Sequence, residues 1–296
     1  MYERVLVPLD GSELAEIALL HAARLAGKRG AEIRLIYVSK SHEAQNSQMQ
    51  QAYLKRIVEE VKRGAEKYIE GPAAKAINVE SIVLPGDPAE EIVEYADKED
   101  IGLIIMATLG RSGLKRWALG SVADRVVRAT KRPVALIRAN TPHPVWDDKG
   151  KVIICLDGSR ASEAIIPYVE GFASNIDTEL ILFEVLEMGH YQVTSGGYDY
   201  VSHAEDQLGS DRAAAEDYLS RIGAGIKQKG ITVKTEVRFG HTAEEIIKFA
   251  EEISADVVAM STHGRSGIAR WALGSVADRV LRRGTKPLLL VRPPKK

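Results

Sequence analysis

Two kinds of short segment in this 296-residue chain could do chemistry, and each occurs twice. The first is a carboxylate followed by glycine and serine, Asp10-Gly11-Ser12 and again Asp157-Gly158-Ser159. Such a triplet can cap a helix, because a serine or aspartate oxygen accepts the amide hydrogens that a first helical turn leaves free. The second is glycine-rich. It runs Ala107-Thr108-Leu109-Gly110-Arg111-Ser112-Gly113 and on to Gly120-Ser121-Val122; its match is Ser261-Thr262-His263-Gly264-Arg265-Ser266-Gly267 and on to Gly274-Ser275-Val276. Glycines let backbone amides approach an anion closely, and a helix opening at Ser121 or Ser275 adds the positive end of its dipole, so the run reads as a phosphate cradle. Asp124 and Asp278, three residues past those serines, give the structural alternative of a capping box. One copy would leave both readings open; carboxylate, glycines, hydroxyls and arginine recurring together tilt the balance to a ligand site.

Other chemistries find no residues. There is no Gly-x-x-x-x-Gly-Lys-[Ser/Thr] run and no Gly-x-Gly-x-x-Gly after the first strand, so the common nucleotide signatures are absent. The seven histidines show no metal-ligand spacing. No general base or holder of an attacking water can be named, so binding is expected and turnover is not, with slow hydrolysis of a bound phosphate compound as the enzymatic alternative. Cys155 sits in an apolar strand and reads as a small buried side chain; Trp117 and Trp271, at equivalent places, read as packing residues.

The elements that position these segments come from an internal duplication. Arg111–Val126 reappears as Arg265–Val280 at an offset of 154, while Leu9–Ser12 returns as Leu156–Ser159 at an offset of 147. Val38 matches Val185 at 147 and Gly86 matches Gly240 at 154, which puts a seven-residue insertion between Val185 and Gly240, assigned to 188–210. The join, 139–150, carries Pro142, Pro144 and a charged turn, giving domains at 1–140 and 148–296. In the first copy, near-continuous apolar runs predict strands at 4–9, 32–38, 78–84, 101–107 and 133–138. Leu54, Ile57, Val58, Val61 and Ala65 recur at helical spacing, as do Ile92, Val93, Ala96 and then Val122, Val126, Val127. The second copy predicts strands at 151–156, 179–185, 232–238, 256–261 and 287–292. Strands alternating with amphipathic helices specify an α/β fold of two tandem doubly wound (Rossmann-like) domains, each a five-stranded parallel sheet with helices on both faces. Ligands of such sheets bind beyond the carboxyl ends of the strands, where both segments fall.

Composition sets the partners aside. Forty Lys plus Arg against forty-one Asp plus Glu leave a net charge of −1, which gives no field to draw in nucleic acid or an anionic membrane. No apolar run approaches the roughly 18–20 residues needed to span a bilayer. The first residues lack a signal-peptide pattern and a single cysteine suits a reducing compartment, so the expectation is a cytoplasmic protein.

Copy by copy, over nearly the whole chain, the sequence resembles tandem universal stress protein domains of the ATP-binding type. Those carry Gly-x2-Gly-x9-Gly-[Ser/Thr] after the fourth strand and an aspartate at the end of the first. The second and third motif glycines fall on Gly110 and Gly120 with Ser121, and on Gly264 and Gly274 with Ser275, both with the nine-residue gap; the first is Ala107 in one copy and Ser261 in the other. The resemblance implies that Asp10 and Asp157 contact adenosine and that the backbone near Val38 and Val185 borders the adenine. It implies that Gly110–Gly113 with Gly120-Ser121-Val122, and Gly264–Gly267 with Gly274-Ser275-Val276, hold ribose and the phosphates of ATP or AMP, with a divalent metal such as Mg2+ on the phosphates. Pro8 at the first strand end is Cys155 in the second copy, and Leu109 is His263, a candidate donor to the ligand; the second copy is expected to bind more tightly. The resemblance further implies a stress-response regulator whose domains pair within the chain, with a homodimer and a signalling partner as further associations. A ligand-free interaction module of the same fold is the alternative that Ala107 and Ser261 keep open.

Overall fold

The computed structural model describes residues 2–39, 44–67, 77–109, 119–138, 150–173, 178–187, 198–264 and 273–294. Gly110–Gly113, Arg265–Gly267, Trp117, Trp271, the join at 139–149 and part of the assigned insertion lie outside them. The elements run β1 (Arg4–Leu9), α1 (Glu13–Arg29), β2 (Glu32–Ser39), α2 (Ala44–Glu66), β3 (Val79–Pro85), α3 (Pro88–Lys98), β4 (Leu103–Ala107), α4 (Ser121–Ala129) and β5 (Val134–Ile137). They continue with β6 (Lys151–Leu156), α5 (Arg160–Glu163), α6 (Ile166–Ala173), β7 (Glu179–Leu186), α7 (Tyr198–Lys227), β8 (Val233–Phe239), α8 (Thr242–Glu252), β9 (Val257–Ser261), α9 (Ser275–Arg283) and β10 (Leu288–Val291). The chain divides into two compact units: residues 1–147 with 269–273 and 286–292, and residues 148–268 with 274–285 and 293–296.

In the first unit β1 pairs in parallel with β2 and β4, β2 with β3, and β4 with β5, giving the order 3-2-1-4-5 of a doubly wound sheet. β10 also belongs to this unit, where it runs antiparallel to β5 with Leu289 opposite Ala135. The central strands are apolar on both faces because helices cover both: Val5, Leu6, Val7, Leu103, Ile104 and Ile105 are fully buried. In the second unit β6 pairs in parallel with β7 and β9, and β7 with β8, repeating the arrangement.

The amphipathic stripes place the helices. Leu54, Ile57, Val61 and Ala65 form the buried stripe of α2, and Leu219 and Ile226 that of α7. Leu219 stands where Leu54 does, and Ile226 where Val61 does, at an offset of 165. The duplication therefore differs by a longer connection before α7 and a shorter one after it, and the net seven residues are their difference. α1 starts at Ser12, whose side chain accepts from Ala15 N, and α5 starts at Ser159, whose side chain accepts from Ser162 N, so each strand-end serine is a helix cap.

Candidate functional site

At the carboxyl end of β1 the chain turns through Gly11, whose φ of 81° is open to glycine at no steric cost; Gly158 repeats the turn at 78°. The turn folds the following serine back on the aspartate. Asp10 Oδ1 accepts from Ser12 N at 3.0 Å and from Ser12 Oγ at 2.6 Å, and Asp157 Oδ1 accepts from Ser159 N and Oγ at the same two distances. One carboxylate oxygen thus fixes the cap, and the cap fixes the carboxylate at the strand end.

The glycine-rich segment is anchored at both ends by the fourth strand of its copy. Gly120 N donates to Thr108 O at 2.7 Å, and Gly274 N donates to Thr262 O at 2.8 Å. Gly120 and Gly274 are the N-cap residues of α4 and α9, and among the described residues neither helix start has a side-chain cap. The capping-box alternative therefore fails: Ser121 and Ser275 are already inside the helix, Asp124 engages Arg128 at 3.0 and 3.1 Å, and Asp278 engages Arg282 at 2.9 Å. Helix amides without a side-chain cap are what an anion would engage.

In the second copy the two segments touch. A Cβ on Gly264 would lie 2.1 Å from Asp157 Oδ2, and one on Gly274 would lie 2.9 Å from Thr262 O, so only glycine fits either place without a shift. Ser261 is buried and its Oγ donates to Ser162 O at 3.3 Å, while His263, half-buried, has Nδ1 3.0 Å from Thr262 Oγ1. Val185, half-buried, directly follows the buried run of β7, and Ser275 and Val276 open α9.

In the first copy the segments enclose a cavity of about 750 Å³. Pro8, Asp10, Val38, Ala107, Gly120, Ser121 and Val122, from four separate stretches of sequence, all line it. Its wall also contains Thr108, from the glycine-rich run, and residues that sequence reasoning passed over: Tyr37 and Ser39 on β2, and Gln50 and Tyr53 on α2. Gln50 had a signal, since it stands four residues before Leu54 and puts a polar side chain on an otherwise apolar stripe. Tyr53 Oη donates to Glu16 Oε1 at 2.9 Å, and Tyr218 Oη donates to Glu163 Oε1 at 3.2 Å. Burial first, and then the neighbouring carboxylate, raise both phenols above their ordinary pKa, so both stay protonated donors. Burial alone pushes the Cys155 thiol up to about 12, which keeps it a thiol at neutral pH.

A family model for the universal stress protein family matches residues 1–138 and again 150–292. The chain belongs to that family. A universal stress protein of Methanocaldococcus jannaschii is 32% identical over 148 residues, covering 47% of this chain and 83% of the relative. One from Synechocystis is 25% identical over 312 residues, covering 98% of this chain and 100% of the relative, so tandem organisation extends through that universal stress protein as well. The crystal structure of a universal stress protein from Archaeoglobus fulgidus superposes with a TM-score of 0.70, covering 99% of each chain at 23% identity, and shares the fold. Among the described residues no helix is long and apolar enough to cross a membrane.

Proposed function

We propose that this universal stress protein binds an adenine nucleotide in each copy and that occupancy, not turnover, is its output. The observation that carries the reading is the convergence of Pro8, Asp10, Val38, Ala107, Gly120, Ser121 and Val122 on one cavity, whose volume of about 750 Å³ suits a nucleotide. A nucleotide fits the chemistry of the wall. Asp10 would take hydrogen bonds from the adenosine part, the backbone at Val38 would border the base, and the amides at Gly120 and Ser121 would take a phosphate at the start of α4. In the second copy Asp157, Val185, Gly274, Ser275 and Val276 would play the same parts, with Gly264 packed on Asp157 and His263 beside it. The glycines and arginines of Gly110–Gly113 and Arg265–Gly267 complete the cradle in this reading, and Mg2+ would be held through the phosphates.

A backbone cradle stabilises a bound phosphate but offers no base to activate water, which is why binding ranks above hydrolysis. We place the functional halves at 1–140 and 148–296, and the protein in the cytoplasm as a stress-response regulator whose nucleotide state selects a protein partner, with intramolecular pairing of the halves and a homodimer as its assembly. The test is to denature freshly purified protein, quantify released adenine nucleotide per chain, and titrate the stripped protein with ATP with and without magnesium. Release or saturable uptake near one or two equivalents is expected; neither release nor uptake would remove the nucleotide reading and leave an interaction module.

A further inference from the structure

The walls of the two equivalent sites differ most at one corner. Ser39, at the end of β2, is half of a polar pair: Gln50 Nε2 donates to Ser39 Oγ at 3.0 Å, and both side chains line the cavity. Their counterparts in the second copy are apolar. Leu186 stands at the place of Ser39, since Ser39 O accepts from Gly86 N at 3.0 Å just as Leu186 O accepts from Gly240 N. Ala215 stands at the place of Gln50, each four residues ahead of the leucine that starts its helix stripe.

The bond to Ser39 orients the amide. It occupies Nε2 and leaves Gln50 Oε1 buried with no hydrogen-bond partner among the described residues. A buried acceptor left unmatched is costly, and among the described residues none donates to it. The cavity beside it is where a donor can arrive. Ser39 directly follows Val38, the residue whose backbone borders the base in the proposed reading, so the arriving donor is a group on the base edge.

We infer that Gln50, oriented by Ser39, is the group with which the first copy recognises the 6-amino group of an adenine base, and that the second copy, with Leu186 and Ala215, lacks this recognition. The inference rests on the nucleotide reading above. A small rotation of the amide brings Oε1 to the amine, and the torsion concerned is soft. A 6-oxo purine presents an acceptor at the same place, which leaves Oε1 unmatched and adds lone-pair repulsion. The first copy therefore selects adenine over hypoxanthine, while the second is nearly indifferent at that edge.

The test compares ATP with ITP, which differ at this edge, by titrating the full chain carrying Gly264→Val so that only the first copy binds. Preference for ATP of about tenfold or more is expected there, the scale of one hydrogen bond unmade in a buried place. Gln50→Leu should bring the ratio close to one by weakening ATP, and Gln50→Glu, which keeps an acceptor that Ser39 can hold, should keep the preference. An equal loss of both nucleotides in Gln50→Leu with no rescue in Gln50→Glu would mean a packing role and would overturn the inference. So would an unchanged ratio, or a preference for ITP, which would mean the amide presents its nitrogen. If the parent binds neither ATP nor ITP, the nucleotide reading itself fails; if it binds both equally, only this inference does.

Discussion

The two strand ends of this protein share one frame and differ in their walls. Asp10 and Asp157 each accept the same pair of hydrogen bonds from the serine two residues on, at identical distances, and the end of each fourth strand holds its glycine-capped helix by a threonine carbonyl. Around that frame, Pro8 faces Cys155 in the comparison, Tyr37 faces Glu184, Ser39 faces Leu186, Gln50 faces Ala215 and Leu109 faces His263. The frame is made of backbone, glycine and a short carboxylate, which in the proposed reading would meet features common to any nucleotide. The walls are side chains, and in the proposed reading they would decide which nucleotide is held. A duplication can therefore keep the ligand class while its two sites part in preference.

The comparison breaks most sharply at Gly264. Gly264→Ala forces a methyl group onto the Asp157 carboxylate, and the shift needed should cost about 3 kcal/mol of nucleotide affinity in the second copy alone. Calorimetric titration should then give one equivalent bound where the parent gives two; unchanged stoichiometry would show that the contact with Asp157 plays no part in the site.

Acid separates the units next. His21 on α1 is fully buried, and burial holds its pKa down at about 4, whereas Tyr168 stands at the equivalent place on α6. A depressed histidine favours the folded state above its unfolded value near 6.5, and that contribution is lost as the pH falls through the folded value near 4. The loss amounts to about 3 kcal/mol at most. Protection factors of the β1 amides should fall over pH 6.5 to 4 more than those of β6, and His21→Leu should remove the difference; an equal fall in both strands would contradict the assignment.

Smaller effects sharpen the shared frame. Asp10→Ala and Asp157→Ala should each weaken their own site by about 1.5–3 kcal/mol, the range for a hydrogen bond to a charged group. Each also releases its strand-end serine, so thermal melts are needed alongside titrations to separate affinity from capping. A loss in one copy only would mean that the carboxylates, alike in geometry, differ in use. The smallest effect belongs to Cys155. With its thiol pushed up to about 12, maleimide should label the native protein slowly at pH 7.5 and label it fully in denaturant; fast native labelling would mean that the end of β6 opens.

Most of the fold was legible because its strands are buried on both faces and so appear as unbroken apolar runs; β1 and β6 begin and end where those runs do. The shared frame was legible because carboxylate, glycines and hydroxyls recur together in both copies, although each strand-end triplet was equally open to the capping role that its serine has. Two features were not. The insertion was assigned to one place because the glycines at either side fix only the net difference, whereas the buried stripes of α2 and α7 reveal two opposed changes in length. The capping box was suggested by spacing, which cannot tell whether Gly120 or Ser121 ends the extended chain; backbone geometry assigns the cap to glycine and sends Asp124 to Arg128. Gln50 escaped notice because its role depends on Ser39, eleven residues away and on another element.

The bond between Thr108 O and Gly120 N has a bearing on how this family can vary. It pinches together the two ends of an eleven-residue stretch, and the Thr262–Gly274 bond does the same in the second copy. With the ends already held, the chain entropy of closing that loop grows only logarithmically with its length, so doubling it costs about 0.6 kcal/mol. The sheet beneath would scarcely register the exchange. The pinch lets the sequence between its two ends be lengthened, shortened or re-lettered while the anchors at Thr108 and Gly120, and at Thr262 and Gly274, stay the same.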